Sequence, residues 1–333
     1  MRSLDTFHEQ AARRAGAMPL DQAVSWLVGH GLFARAIRDR LPAEHAARLV
    51  AAARRNLAKN LNWIDAFARL VDALGEGPEP IPVCPLKGIT LLGSVYAQEP
   101  EARALVDLDV LVPESRIEEA VTRLGERLGV RERSASAAAR LDHHERTLEG
   151  ERLVVDVHSR LGVGWGDATR YEALATTDAE LHGRRVRRLA DADTLVHLLG
   201  HLVRHGPFSR LAWAEDALRI AGSPPGVTVE ALAEAAYRLH ARRVVLAGVS
   251  ALRWLSSGSF YDGLEDRLRP SDRRRVSGCV ALLWRRQRRD PMGAPASGSV
   301  RRLLSGVLLA DSVAASAAVV SAKVRALRVR QDP

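Results

Sequence analysis

Aspartates set into two short apolar segments are the residues of this sequence with the clearest chemistry. Asp107 and Asp109 lie in LVDLDVLV, and Asp156 lies in LVVDVHSR. Because side chains two residues apart on a strand point to the same face, Asp107 and Asp109 are expected to project together. Carboxylates that close repel each other, and a divalent cation removes the repulsion. The pattern predicts a magnesium (or manganese) site held by Asp107, Asp109 and Asp156.

Each acidic motif, taken alone, also fits a strand whose aspartates face solvent. The neighbours of Asp107 and Asp109 within the first motif are all Leu or Val. Such flanks predict a strand that is buried on at least one side, which argues against exposure of both acids.

A lysine and a glycine at a predicted strand end form the second chemical element. PLKG at 85–88 precedes the helix predicted for ITLLGSVYAQ. Backbone N–H groups and the helix dipole at such a junction favour phosphate, and glycine permits a close backbone approach. Lys87 is one of only three lysines in the chain, and a compact ammonium suits a phosphate oxygen. A turn glycine beside a solvated lysine explains the same residues when the motif is considered alone.

Two histidine groupings raise the question of zinc. His197, His201 and His205 recur every four residues, but no cysteine or paired carboxylate close in sequence completes a tetrahedron. Partly buried histidines that pack and form hydrogen bonds are the favoured interpretation. The run DHHE at 142–145 is predicted to be a solvated strand, because consecutive strand residues point to opposite faces.

The elements that must position these residues follow from the hydrophobic pattern, which divides the chain into three segments. For residues 1–78 the pattern predicts helices that end at GEGPEP, a run of glycine and proline that breaks helices. Residues 79–165 predict a strand ending at Gly88, a helix, the strand LVDLDVLV, a helix from about Glu114 to Leu128, and a hairpin turning at 149–151. Residues 166–333 predict helices again, at Ala190–His205, Arg210–Ala221, Val229–Leu255 and Val300–Leu327.

Composition and charge narrow the class of protein. The net charge of +9 suggests an acidic partner, but it comes almost entirely from scattered arginines and is weak evidence. Two cysteines exclude a disulfide framework and a cysteine zinc site, which favours the cytoplasm. The apolar stretch Leu303–Ala322 is long enough to span a bilayer, yet it contains Asp311. We therefore expect a buried helix there and no contact with a membrane.

Taken together, the motifs resemble an uncharacterised nucleotidyltransferase family of the DNA polymerase β-like superfamily. The resemblance is carried by LKGITLLGSVY, by Arg103 four residues before Asp107, by DLDVLV and by VVDVHSRL. HLVRH at 201–205 and RLAWAED at 210–216 are similar to the helical signature of the same family. The resemblance covers roughly residues 55–220, and its short motifs occur in the right order and spacing.

The resemblance implies an α+β fold, with a small mixed-sheet core at 79–165, N-terminal helices at 1–78 and a C-terminal helical domain at 166–333. It also implies transfer of an NMP unit from an NTP co-substrate to an acceptor, with Mg²⁺ (or Mn²⁺) as cofactor and release of pyrophosphate. The catalytic acids and metal ligands would be Asp107, Asp109 and Asp156. The nucleotide-binding residues would be Lys87, Gly88 and Arg103. The substrate cleft would be lined by His158, His205, Arg210 and Asp216.

Two alternatives remain open at the level of the sequence. The superfamily usually has a small residue where this chain has Ile89, and a branched side chain there would crowd the triphosphate. That departure favours a catalytically degenerate binding or regulatory module. A metal-dependent phosphohydrolase could use the same acids with His158, but it would need more histidine ligands. The acceptor is a small molecule or a macromolecule, and an aromatic content of 5% does not favour a nucleic-acid groove.

Overall fold

Alternating helical and strand patterns along the chain produce a mixed sheet surrounded by helices, so the predicted α+β class is confirmed. The computed structural model describes residues 2–133, 145–161, 169–206, 208–256 and 260–284, together with Leu309 and Asp311. Apolar residues from all three predicted segments pack into one continuous core. The division into three domains stays a prediction.

Helices make up most of the described chain. Those before and within the sheet region are α1 Arg2–Gly16, α2 Leu20–His30, α3 Arg35–Arg38, α4 Ala43–Gly75, α5 Lys87–Leu92 and α6 Ile117–Leu128. Those after it are α7 Asp191–His205, α8 Ala212–Gly222, α9 Val229–Arg238, α10 Arg242–Ser256, α11 Leu264–Arg267 and α12 Pro270–Trp284.

Helix α4 shows how the sequence pattern becomes packing. It begins directly after Pro42 and ends at Gly75, the first residue of the GEGPEP break, as predicted. Its buried apolar residues, among them Leu49, Phe67 and Leu70, recur on one face, which packs against the rest of the core. Two buried asparagines of the helix, Asn56 and Asn60, bind backbone carbonyls of the chain that leads towards Asp107.

The central sheet sets two acid-bearing strands side by side. Its strands are β1 Cys84–Leu86, β2 Leu108–Leu111, β3 Arg131–Glu132, β4 Glu145–Glu149 and β5 Val154–His158. Their spatial order is β1-β2-β5-β4-β3, with β2 and β5 parallel and every other pair antiparallel. All four residues of β2 are buried, in agreement with its apolar flanks. The predicted hairpin is confirmed as β4 and β5, which are joined by residues 150–153, where the N–H of Gly150 donates to the carbonyl of Leu153.

Two boundaries beside the acids differ from the prediction. The first strand ends at Leu86 rather than Gly88, because Lys87 takes a positive φ of 47° and starts α5. The second strand begins at Leu108, so Asp107 is the residue before it. The pairing with β1 ends at Asp109, opposite Leu86, and the pairing with β5 ends at Leu108, opposite Val155.

The third segment contains strands that the sequence analysis missed. β6 Thr176–Leu181 and β7 Arg184–Leu189 form an antiparallel hairpin between 166 and 190, a region predicted to be helical or irregular. His182 and Gly183 both have positive φ, 49° and 74°, the conformation of a tight two-residue hairpin turn. The Arg187 N–H donates to the carbonyl of Val83 at 2.8 Å, which ties the hairpin to the chain before β1.

The helix predicted at Val229–Leu255 is two helices, α9 and α10. His240 takes a positive φ of 51°, and the N–H of Ala241 bonds back to the carbonyl of Ala236. This is a helix-ending arrangement of the left-handed type, which breaks the apolar period without a glycine or proline to mark it.

The predicted helix at 300–327 and the apolar stretch at 303–322 lie outside the described residues, apart from Leu309 and Asp311. The Asp311 carboxylate accepts the N–H groups of Arg242 (2.8 Å) and Arg243 (3.0 Å) at the start of α10. It also lies 3.3 Å from the Arg242 guanidinium. The aspartate therefore caps a helix and pairs with a cation. None of the helices in the described ranges has the length and hydropathy needed to cross a bilayer.

Candidate functional site

The parallel pairing of β2 and β5 brings two of the predicted acids together. Asp109 lies directly opposite Asp156 in the ladder, and His158 follows two residues later on the same face of β5. One ligand atom from each of Asp109, Asp156 and His158 lies within 4.8 Å of the others. Two carboxylates and an imidazole are a donor set that suits a divalent cation. We call these three residues the β2–β5 cluster.

Asp107 lies next to the β2–β5 cluster but is not part of it. It is half-buried at the entrance to β2. Burial and the neighbouring Asp109 carboxylate raise the pKa of Asp107 to about 6, against the opposing effect of the Lys87 ammonium. Such a shift indicates carboxylates crowded into one place, where a cation would relieve the repulsion. The role of Asp107 as a metal ligand stays a prediction.

Lys87 is bound to an acid of the cluster. Its Nζ lies 2.5 Å from Oδ1 of Asp109, which is 3% exposed. Burial raises the pKa of the Asp109 carboxyl, but the Lys87 ammonium and the His158 imidazole outweigh burial and hold the pKa well below its ordinary value. Burial alone would lower the pKa of Lys87, and the Asp109 carboxylate raises it instead. Both groups are therefore charged, and the lysine predicted to bind phosphate contacts a carboxylate in this structure.

The backbone at Lys87 is strained. A φ of 47° is uncommon for a residue with a side chain and persists only where the surroundings fix it. Here β1 ends on one side, α5 begins on the other, and the side chain is held by Asp109. Strained residues of this kind cluster at functional sites.

Gly88 is buried inside α5 and lies against Leu105. A Cβ built on Gly88 would lie 2.4 Å from Cδ2 of Leu105, closer than real side-chain contacts allow. The next residue, Ile89, is 1% exposed and belongs to the hydrophobic core. The bulk of Ile89 is therefore accommodated by apolar neighbours. The phosphate-binding role of Gly88 stays a prediction.

Replacing Gly88 by alanine should lower the free energy of unfolding by about 1–3 kcal/mol, because the added methyl overlaps Leu105. The sign of this change in the free energy of unfolding is informative, because replacing glycine by alanine within a helix otherwise stabilises the protein by about 1 kcal/mol. Urea unfolding of Gly88→Ala, Leu105→Ala and the double variant measures the effect, and the double variant should be more stable than the sum of the two losses. Gly29→Ala in α2 is the matched control, because a Cβ there meets nothing within 4 Å. A stabilised Gly88→Ala would contradict the packing argument.

The second acid is oriented by a residue that the sequence analysis did not single out. Thr147 on β4 donates its hydroxyl to Oδ1 of Asp156 at 2.7 Å, from the position directly opposite in the ladder. Burial raises the pKa of Asp156, and the Thr147 hydroxyl opposes that rise. The register of the predicted hairpin could have identified Thr147, because it places Thr147 opposite Asp156 and Glu145 opposite His158.

The histidines of α7 lie near the cluster without forming a zinc site. Burial, with a smaller contribution from the Lys87 ammonium, lowers the pKa of His197 to about 3, so the ring is neutral. The His201 ring packs against His205, with centroids 4.4 Å apart, and edge-on against Trp213 at 4.6 Å. Within the described part of the chain, the β2–β5 cluster is the group with metal-ligand spacing. The predicted packing is therefore supported for His201 and His205, whereas the two ring nitrogens of the buried His197 have no hydrogen-bond partner. Of the DHHE run, 142–144 lie outside the described residues, and Glu145 begins β4.

Arg103 and Asp216, predicted to bind nucleotide and to line the cleft, contact each other. Nε of Arg103 lies 2.8 Å from an oxygen of Asp216, and the Tyr96 hydroxyl donates to the same carboxylate at 2.9 Å. Both charged residues are buried. The side-chain amide of Asn60 donates to the carbonyls of Arg103 and Pro100, at 2.7 Å each. The ion pair thus fixes the chain before Asp107 to α8, and Asn60 fixes it to α4. A direct contact of Arg103 or Asp216 with substrate stays a prediction.

The remaining predicted cleft residues, His205 and Arg210, lie at the junction of α7 and α8. Both are half-buried. The His205 ring contacts Trp213 with centroids 5.3 Å apart. The Asp107 and Asp216 carboxylates favour the charge of Arg210, although burial and Arg103 lower its pKa overall. The junction therefore lies within electrostatic reach of the acids.

A family model described as uncharacterised nucleotidyltransferase matches residues 14–256. The match confirms the resemblance carried by the motifs around Lys87, Asp109 and Asp156, and it extends to the helices on both sides of the sheet. No curated protein and no solved structure matches the chain.

Proposed function

The chain belongs to the uncharacterised nucleotidyltransferase family, and on that premise we propose that it is a metal-dependent enzyme which transfers an NMP unit from an NTP to an acceptor. An acceptor oxygen or nitrogen would form a bond to the α-phosphorus while the bond to the departing pyrophosphate breaks. The observation that carries this proposal is the β2–β5 cluster, in which Asp109 and Asp156 face each other beside His158.

The proposal assigns each acid a task. Asp109 and Asp156, with His158 beside them and Asp107 at the entrance, would hold Mg²⁺ or Mn²⁺. When bound, such an ion would neutralise the charge that develops on the transferred phosphoryl group. Lys87 and His158 keep Asp109 ionised, and Thr147 orients Asp156, so these proposed ligands would be in place before substrate arrives. Catalysis of this kind depends on positioning and electrostatics rather than on a covalent intermediate.

Nucleotide-dependent pyrophosphate release is the experiment that tests the proposal. Each NTP is incubated with the protein and Mg²⁺ or Mn²⁺, alone and with pools of small-molecule, protein and RNA acceptors, and pyrophosphate is measured. Thermal unfolding is followed in parallel, because a ligand that binds the folded state raises the melting temperature. We expect metal-dependent stabilisation by at least one NTP and release of pyrophosphate with one acceptor class. Stabilisation without pyrophosphate would instead support the binding module. The absence of both stabilisation and pyrophosphate would contradict the enzyme and the binding module alike.

The acceptor and the location remain part of the proposal. The sequence leaves a small-molecule or a macromolecular acceptor open, with nucleic acid not favoured. A cytoplasmic location is likewise proposed, from the reduced state expected of two buried cysteines, Cys84 and Cys279.

A further inference from the structure

Arg210 occupies the chain between α7 and α8, two residues before Ala212 begins α8. Its side chain packs against Gly31, the glycine that ends α2 with a φ of 71°. A Cβ built on Gly31 would lie 3.4 Å from both Nε and Nη2 of Arg210. The carboxyl end of a helix carries partial negative charge, which stabilises a nearby cation. The end of α2 therefore supports the guanidinium without a carboxylate.

The other cations around the acids already have carboxylate partners. Lys87 is paired with Asp109, and Arg103 is paired with Asp216. Over the described ranges, no carboxylate lies within ion-pair distance of Arg210, and its buried Nε has no hydrogen-bond partner. A buried donor of this kind loses free energy unless something accepts its hydrogen bond. Among Lys87, Arg103 and Arg210, Arg210 is thus the cation without a carboxylate partner in the described part of the chain.

A second cation, Arg14, lies on the His30 side of Arg210, in addition to the Asp107 and Asp216 carboxylates that also act on Arg210. His30, whose Nδ1 accepts the N–H of Leu211 at 3.4 Å, lies beside it. Burial lowers the pKa of His30, and the Arg14 and Arg210 guanidinium groups lower it further, so the imidazole stays neutral. The two guanidinium groups on this side of the junction therefore favour an anion beside Arg210.

We infer that Arg210, rather than Arg103, binds the phosphate chain of the nucleotide, with the end of α2 as its support. A guanidinium offers two parallel N–H groups to a phosphate, which is a strong and directional contact. The rings of Trp213, His201 and His205 form a wall on the same junction. The inference deepens the proposed function and rests on it for the identity of the ligand. Its chemical content is narrower: a phosphate anion is bound by Arg210.

Inorganic tripolyphosphate is the direct probe, because it carries the phosphates without the nucleoside. Its dissociation constant is measured by calorimetry with Mg²⁺ for the wild type and for Arg210→Gln, Arg210→Lys and Arg204→Gln. Arg204 lies exposed in the last turn of α7, so its substitution removes the same charge from the surface. We expect Arg210→Gln to weaken tripolyphosphate binding about 10- to 100-fold and Arg204→Gln to change it less than about 2-fold. Arg210→Lys keeps the charge but not the planar fork, and an intermediate value is expected.

Two outcomes would overturn the inference: a folded Arg210→Gln, with the melting temperature of the wild type, that binds tripolyphosphate as tightly as the wild type, or a wild type that does not bind it. If Arg210→Gln does not fold, Arg210→Lys tests the inference instead. Tripolyphosphate binding by Arg210→Lys that equals that of the wild type would contradict a two-point contact between the guanidinium and a phosphate. The inference and the proposed function fail separately. Pyrophosphate release that does not depend on Arg210 would support the proposed function and contradict the inference about Arg210. Tripolyphosphate binding that depends on Arg210, without pyrophosphate release from any NTP, would support the inference and contradict the proposed function.

Discussion

Replacing Asp109 by asparagine should lower the rate of pyrophosphate release at least about 1000-fold, which corresponds to about 4 kcal/mol in activation free energy. Asp109 is the carboxylate shared by the whole site, because Oδ1 lies 2.5 Å from Lys87 and 3.1 Å from Nε2 of His158. Its removal takes a charged ligand from the β2–β5 cluster and leaves the Lys87 ammonium beside a neutral amide. The rate is measured with saturating NTP and metal, and the folded fraction is checked by circular dichroism.

The matched control for Asp109→Asn is Glu149→Gln in the same sheet. Glu149 is an exposed residue at the end of β4 whose carboxylate lies 3.2 Å from Arg133. We expect its substitution to change the rate less than about 2-fold, since exposed ion pairs contribute little. A chelator should remove the activity of the wild type, and added Mg²⁺ or Mn²⁺ should restore it. A folded Asp109→Asn that retains the wild-type rate would exclude the β2–β5 cluster as the metal site.

Replacing Asp216 by asparagine should lower the free energy of unfolding by about 3–5 kcal/mol, because the buried Arg103 then has no compensating charge. Arg103 and Asp216 are 6% and 0% exposed, so water cannot solvate the cation that remains. The double variant Arg103→Met with Asp216→Leu removes both charges and should be destabilised less than Asp216→Asn alone. Urea unfolding measures all three proteins.

An exposed pair supplies the control for this prediction. Arg184 binds Asp72 through two hydrogen bonds, 2.7 and 2.8 Å long, and the pair is solvent-exposed. Asp72→Asn should therefore lower the free energy of unfolding by less than about 1 kcal/mol. A loss at Asp216 no larger than the loss at Asp72 would contradict the structural role of the buried pair. Pyrophosphate release by the double variant separates positioning from stability, since a folded protein with a misplaced Asp107 would be slow.

Local pattern was sufficient to predict the strands that carry Asp109 and Asp156, and helices such as α4 and α6. Alternation predicts a strand with Asp107 and Asp109 on one face and a second strand with Asp156 and His158 on one face. Both strands are present, but the first begins at Leu108 and leaves Asp107 just before it. Helix α6 ends at Leu128 and is capped by Gly129 with a φ of 66°, as its sequence predicts. Local pattern failed at His240 and at the hairpin turning on His182 and Gly183. Positive φ at a histidine has only a weak sequence signature, because the conformation is imposed by packing.

By itself, then, the sequence determined the α+β class and the family, and it predicted the acidic residues of the site, since these depend on the spacing of residue types along a few turns or strands. Only the tertiary structure decided which charges meet. Lys87 lies against Asp109, and Arg103 is taken up by Asp216, which is 113 residues away. Ion pairs between distant segments depend on how helices pack on the sheet, and that packing leaves no period in the sequence. It also left Arg210 as the cation beside the acids without a carboxylate among the described residues, and this placement makes Arg210 the candidate for phosphate.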